Sequence, residues 1–138
     1  MSRTSTRFLL SVLAIASCML SRMAHADDYD DPDPYDVYIT NNLKGHLFLN
    51  CRSKDEVVSK YNLNVNERFS WRFRLNYSSP TVYFCYFLYK TKAKTFDVFD
   101  DKKEGGWSAK TRKVYWSLRE DGFYFSNNDV DYEKKQPW

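Results

Sequence analysis

Histidine is almost missing from this chain. Its 138 residues hold two, and His25 lies in an N-terminal segment that reads as removable, leaving His46 alone. One imidazole cannot supply the acid–base pair that a two-histidine ribonuclease needs, and nothing resembles a nucleophile elbow. Cysteine is scarce too: Cys51 and Cys85, with 33 residues between them, do not make a zinc spacing with one histidine. Asp55 and Glu56 are a carboxylate pair, but adjacent residues on a strand or turn point apart, whereas glycosidase carboxylates face one another across about 5–9 Å. Glycine is rare, and Gly105-Gly106 stands without the other parts of a phosphate-binding loop. The longest apolar run, Phe8 to Leu20, is shorter than the roughly 20 residues that cross a bilayer as a helix. No segment keeps helical spacing; Lys54–Lys60 is the one place for a short helical turn. These absences argue against an enzyme, and neither a metal nor a cofactor is expected.

What the N-terminus does contain is the three-part layout of a secretory signal peptide. Arg3 and Arg7 open it, the apolar run follows, and Ala24-His25-Ala26 places small residues before Asp27. Cleavage is expected between Ala26 and Asp27, with a retained anchor as the competing reading. Without residues 1–26 the chain has 112 residues, one ordinary domain, and its 18 basic residues balance 18 acidic ones. The basicity of the full chain is therefore no sign of nucleic-acid affinity, and no nucleic-acid partner is expected. Six aspartates from Asp27 to Asp36, with Pro32 and Pro34 among them, make residues 27–35 an acidic segment expected to be disordered. A weak Ca²⁺ site is the alternative there, although the glycine turn and closing glutamate of a calcium loop are missing.

The remaining pattern has a period of 2. In Phe69-Ser70-Trp71-Arg72-Phe73-Arg74-Leu75 apolar residues alternate with serine and arginine, and Val114, Trp116 and Leu118 alternate with Lys113, Tyr115, Ser117 and Arg119. Val37 and Ile39 share a face, as do Leu47, Leu49 and Cys51. Thr81 to Tyr89 runs on without a charge and reads as a central strand covered on both faces. Shorter strands fit 95–99 and 122–125. Turn residues separate the runs at Asn41–Gly45, Asn76–Pro80 and Asp121-Gly122. About eight short strands predict an all-β fold, an antiparallel β-sandwich over residues 36–126, followed by a C-terminal tail at 127–138. In an oxidising compartment Cys51 and Cys85 read as one disulfide, with two buried thiols as the alternative.

Two further features carry functional weight. Asn76-Tyr77-Ser78 is an N-glycosylation acceptor in a predicted turn. Asp100, Asp101, Lys102, Lys103 and Glu104, followed by Gly105-Gly106, form a dense charged loop between two strands. Such a run serves as a solvated turn or as a protruding recognition loop.

An ordered set of motifs resembles the plant self-incompatibility S-protein homologue family. It begins at Val37-Tyr38-Ile39-Thr40-Asn41-Asn42-Leu43 and continues through Cys51-Arg52-Ser53-Lys54-Asp55-Glu56 and Phe69-Ser70-Trp71-Arg72-Phe73. The strand around Cys85, then Phe96-Asp97-Val98-Phe99, and finally Trp116-Ser117-Leu118-Arg119-Glu120-Asp121-Gly122-Phe123-Tyr124 complete the order. Three departures stand out: Asn50 where members commonly have His, Val57-Val58-Ser59 in place of Leu-Gly, and Thr111 and Val114 where many members carry a second cysteine pair. Losing that pair together leaves an even number, which supports a single Cys51–Cys85 bridge.

The resemblance implies a secreted β-sandwich acting as a protein ligand. In self-incompatibility such a protein is made by female tissue and read by a pollen membrane receptor, but most members are not tied to pollen rejection and that role is not assigned here. The expectation is a monomeric, non-enzymatic extracellular ligand of a cell-surface receptor protein. Its first contact is the loop Asp100–Gly106 and its second the turn Asn41–Gly45. The alternative is a secreted defence or membrane-active protein; membrane contact is not expected, because the aromatics fall mostly on inward faces.

Overall fold

A computed structural model describes residues 33–76 and 78–138; the signal segment, the Ala26–Asp27 junction and most of the acidic stretch lie outside the described residues. Nine strands and one short helix follow in order: β1 Tyr35–Asn41, β2 Leu47–Ser53, β3 Val57–Leu63, β4 Arg68–Phe73, β5 Val82–Tyr89, β6 Lys92–Asp100, α1 Glu104–Trp107, β7 Lys113–Arg119, β8 Gly122–Ser126 and β9 Glu133–Gln136. They form a five-stranded sheet, β4-β1-β7-β8-β9, facing a four-stranded sheet, β3-β2-β5-β6. All neighbours are antiparallel except β1 and β7. That parallel pair is reached because the chain passes through the second sheet between them, the long crossover that parallel strands require.

The alternation read in the sequence builds the core. Val37 and Ile39 of β1, Leu47 and Leu49 of β2, Phe87 of β5 and Val114, Trp116 and Leu118 of β7 are all buried between the sheets. Cys51 and Cys85 sit directly opposite one another on β2 and β5, both inward, and are joined as a disulfide with Cα atoms 4.1 Å apart. The staple therefore lies within one sheet rather than between the two. A register shift opposite Tyr83 and Phe84 places both Val98 and Phe99 of β6 in the core, the effect of a β-bulge.

The structure corrects several sequence expectations. The uncharged β5 is central by its hydrogen bonds but is not covered on both faces: Tyr86 and Leu88 are 37% and 38% exposed. Its outer face stays apolar in solvent, where Phe48 meets Tyr86 edge to face. Lys54–Lys60 is not helical. Ser53 holds a turn by accepting the Asp55 and Glu56 N–H groups, and β3 follows as an edge strand rich in β-branched residues. Tyr35, read as the end of the acidic segment, is the first residue of β1 and is buried. Residues 127–138, read as a tail, close the five-stranded sheet. The Arg68 guanidinium clamps Asp129 with two bonds of 2.9 and 3.1 Å, and the Trp138 indole packs at a tilt against Phe123 while donating to Arg119 O at 2.8 Å.

Gly122 lets β9 approach. Its φ is +152°, and an added Cβ would lie 2.4 Å from Gln136 O and 2.8 Å from Lys134 Cε. Gly122→Ala is expected to lower stability by about 1–3 kcal/mol through backbone strain and a forced shift of β9. Chemical denaturation measures it, and amide exchange at residues 133–136 should show the loss concentrated there.

Candidate functional site

The loop predicted for recognition sits at the end of the sandwich where β1 begins. Its anchors explain its shape. Asp101 N–H donates to Thr81 O at 3.2 Å, Lys103 N–H to Asp100 O at 2.9 Å, and the Tyr35 hydroxyl to Gly105 O at 2.8 Å. Of the predicted contact residues only Lys102 and Lys103 are exposed; Asp100 and Asp101 are half-buried. Glu104 is a correction: it is 4% exposed, and its carboxylate turns back to accept the Asp100 N–H at 3.1 Å. The loop thus presents two lysines rather than a mixed-sign surface, because the carboxylates are spent on holding the turn.

Burial pushes the Glu104 carboxyl above the ordinary glutamate value of 4.5, with nearby Asp100 adding to the rise, against the backbone N–H bonds and Lys103. A folded-state value above the unfolded one means that the group's stabilising contribution is full below that ordinary value. It is lost as pH rises through the raised one. Wild type should therefore lose stability relative to Glu104→Gln as pH climbs above 4.5. Unfolding free energies of both proteins across the acidic to neutral range check this; a pH-independent difference contradicts it.

Asn76 shares this end of the molecule. It is exposed, its N–H donates to the Thr81 hydroxyl at 3.0 Å, and its Oδ1 accepts from the Ser78 N–H and hydroxyl at 3.0 and 2.7 Å. The Ser53–Glu56 turn closes the same end. The Tyr83 hydroxyl donates to Glu56 at 2.6 Å, and burial together with that carboxylate raises the phenol. Lys54, Glu56, Arg74, Asn76, Thr81 and Tyr83 line a cavity of about 520 Å³. The Cys-x-Ser-Lys-Asp-Glu motif was the sequence signal for this turn, but only the fold brings it beside Asn76 and the charged loop.

The second predicted contact, Asn41–Gly45, lies at the opposite end. Asn41 is fully buried: its Nδ2 donates to Gly45 O, Leu63 O and Asn64 O, and its Oδ1 accepts from Leu43 N–H. It is a structural stitch, leaving Asn42, Lys44 and His46 exposed there. The two predicted contacts cannot form one patch. Among the described residues no three of His, Cys, Asp and Glu gather where they could hold a metal, and no helix is long and apolar enough to cross a membrane.

The family described as plant self-incompatibility protein S1 matches residues 36–138. In Arabidopsis thaliana, S-protein homolog 29 is 29% identical over 105 residues, covering 74% of this chain and 76% of the relative. S-protein homolog 2 is 26% identical over 149 aligned positions, covering 94% and 92%. S-protein homolog 3 reaches 35% identity, over 50% of this chain and 47% of its own. No solved structure matches the chain significantly. The family is defined by self-incompatibility rather than by a catalytic activity, and with its match running from the start of β1 to the last residue, the chain belongs to the plant self-incompatibility S1 family.

Proposed function

We propose that this protein is a secreted, non-enzymatic ligand that a cell-surface receptor recognises at the loop end of the sandwich. The observation that carries the reading is the loop itself. Lys102 and Lys103 stand outward on a turn held by Thr81, Glu104 and Tyr35, so two charges are presented from a rigid frame. Fixed charges of this kind speed encounter with a partner of opposite sign and set register. The partner chemistry is therefore an acidic surface on a receptor ectodomain. Secretion is supported by the signal-peptide layout ahead of Asp27, and a glycan on exposed Asn76 would border the contact and restrict the directions of approach.

Lys102→Ser/Lys103→Ser is expected to weaken binding to receptor-bearing plant cells by about tenfold, mainly through a slower on-rate, with the melting temperature unchanged. Unchanged affinity removes the loop from the reading. Failure of the wild-type protein to bind any plant cell surface at micromolar concentration removes the ligand role. Intact mass of the secreted protein reads signal removal, the disulfide and the glycan together.

A further inference from the structure

A second cavity adjoins the base of the receptor loop, which lends it Lys103 and Glu104, on the side of the sandwich between the free edges of β6 and β9, with α1 beside it. It measures about 380 Å³ and is walled by the rings of Phe96, Trp107 and Trp116. Trp107 is 44% exposed at the cavity mouth and meets buried Phe125 edge to face at 5.2 Å. The polar lining is balanced. Asp97 and Glu104 supply carboxylates, while Lys103 and Lys135 supply ammonium groups and Gln136 both donors and acceptors. Lys135 is held over the Trp107 ring at 4.4 Å and paired with Glu133 at 3.2 Å, so its donor is pre-positioned.

This chemistry selects by exclusion. The carboxylates oppose an anion, the lysines oppose a cation, and the polar lining opposes a lipid chain. A neutral polyhydroxylated ring satisfies all of it, placing C–H faces on indole and hydroxyls against the mixed donors and acceptors. Size agrees, since small-ligand pockets span about 300–1,000 Å³ and combine aromatic walls with a few polar groups. We propose that this cavity is a binding site for a neutral saccharide, with the Trp107 ring as an aromatic wall, Lys135 over that ring as a hydroxyl donor and Glu104 as the buried hydroxyl acceptor. The assignment does not rest on the receptor reading, and Trp107→Ala tells them apart: it replaces no residue of the receptor loop, whereas Lys103 and Glu104 border both sites.

The secreted, disulfide-bonded protein is titrated with cellotriose, xylotriose and N-acetylchitotriose while the tryptophan indole N–H signals are followed by NMR. Saturable shifts of the Trp107 and Trp116 signals with at least one saccharide are expected. Trp107→Ala and the isosteric Glu104→Gln should each weaken that affinity about tenfold with the remaining spectrum native. Glu104→Gln keeps an acceptor for Asp100, so it guards against a Trp107→Ala protein that folds poorly. No saturable shift with any of the three up to about 10 mM overturns the proposal, as that is weaker than a millimolar site. So does a natively folded Trp107→Ala protein that binds as wild type does.

Discussion

Replacing both Cys51 and Cys85 with alanine is expected to lower the unfolding free energy by about 3.5–4 kcal/mol, the chain-entropy value for a closed loop of this length. The bridge joins residues 34 apart on neighbouring strands, and both side chains are fully buried. Because β2 and β5 are already hydrogen-bonded beside one another, the native state changes little when the bond is removed. The effect falls on the unfolded chain, which regains the freedom of the loop. The reduced unfolded state also exposes more surface, so the denaturant slope should rise while the midpoint falls. For a domain whose whole stability lies near 5–15 kcal/mol, this loss separates a folded protein from a marginal one at growth temperature. Alanine rather than serine keeps a new buried hydroxyl from inflating the result. An unchanged midpoint and slope would show that removing the bond frees no further conformations of the unfolded chain.

Trp116→Ala should cost about as much by a different route, roughly 3–5 kcal/mol for a buried aromatic deletion. Trp116 is 2% exposed, meets Phe96 at 5.1 Å and Phe125 at 5.6 Å, and donates its indole N–H to Val98 O at 2.8 Å. It lies on β7 and Val98 on β6, so this one side chain ties the five-stranded sheet to the four-stranded one. Its removal opens a void and leaves the Val98 carbonyl unpaired. Trp116→Phe separates the two contributions: it fills most of the volume but cannot donate, and should cost about 1–3 kcal/mol more than packing alone explains. Equilibrium denaturation of the two variants gives the order; equal losses would show that volume is irrelevant and the hydrogen bond dominates.

Much of the sandwich was legible because strand alternation is a local property. Val37 and Ile39, Leu47 and Leu49, and Val114, Trp116 and Leu118 all alternate in the chain and all point inward in the fold. β5 was misread because a run such as Val82–Leu88 states its hydrophobicity without stating what covers it; its outer face has no layer above it among the described residues. β9 was missed because Glu133–Gln136 has no apolar alternation. Its place depends on Gly122 allowing close approach and on Asp129 meeting Arg68, contacts between residues far apart in sequence. The loop Asp100–Glu104 was visible as charge, but which charges face outward depends on where Glu104 finds an N–H.

The order of residues alone determined the compartment signals, the strand period, the pairable cysteines and the family, since each is written in composition or short spacing. Only the tertiary structure decided the rest: that the staple lies within one sheet, that Asn41 is a stitch rather than a contact, and that Glu104 is inside. The reason is physical. Burial and hydrogen-bond partnership belong to pairs of residues brought together by folding, and one residue's identity does not carry them. The packing of two sheets fixed which charges stand at the surface and which are turned inward.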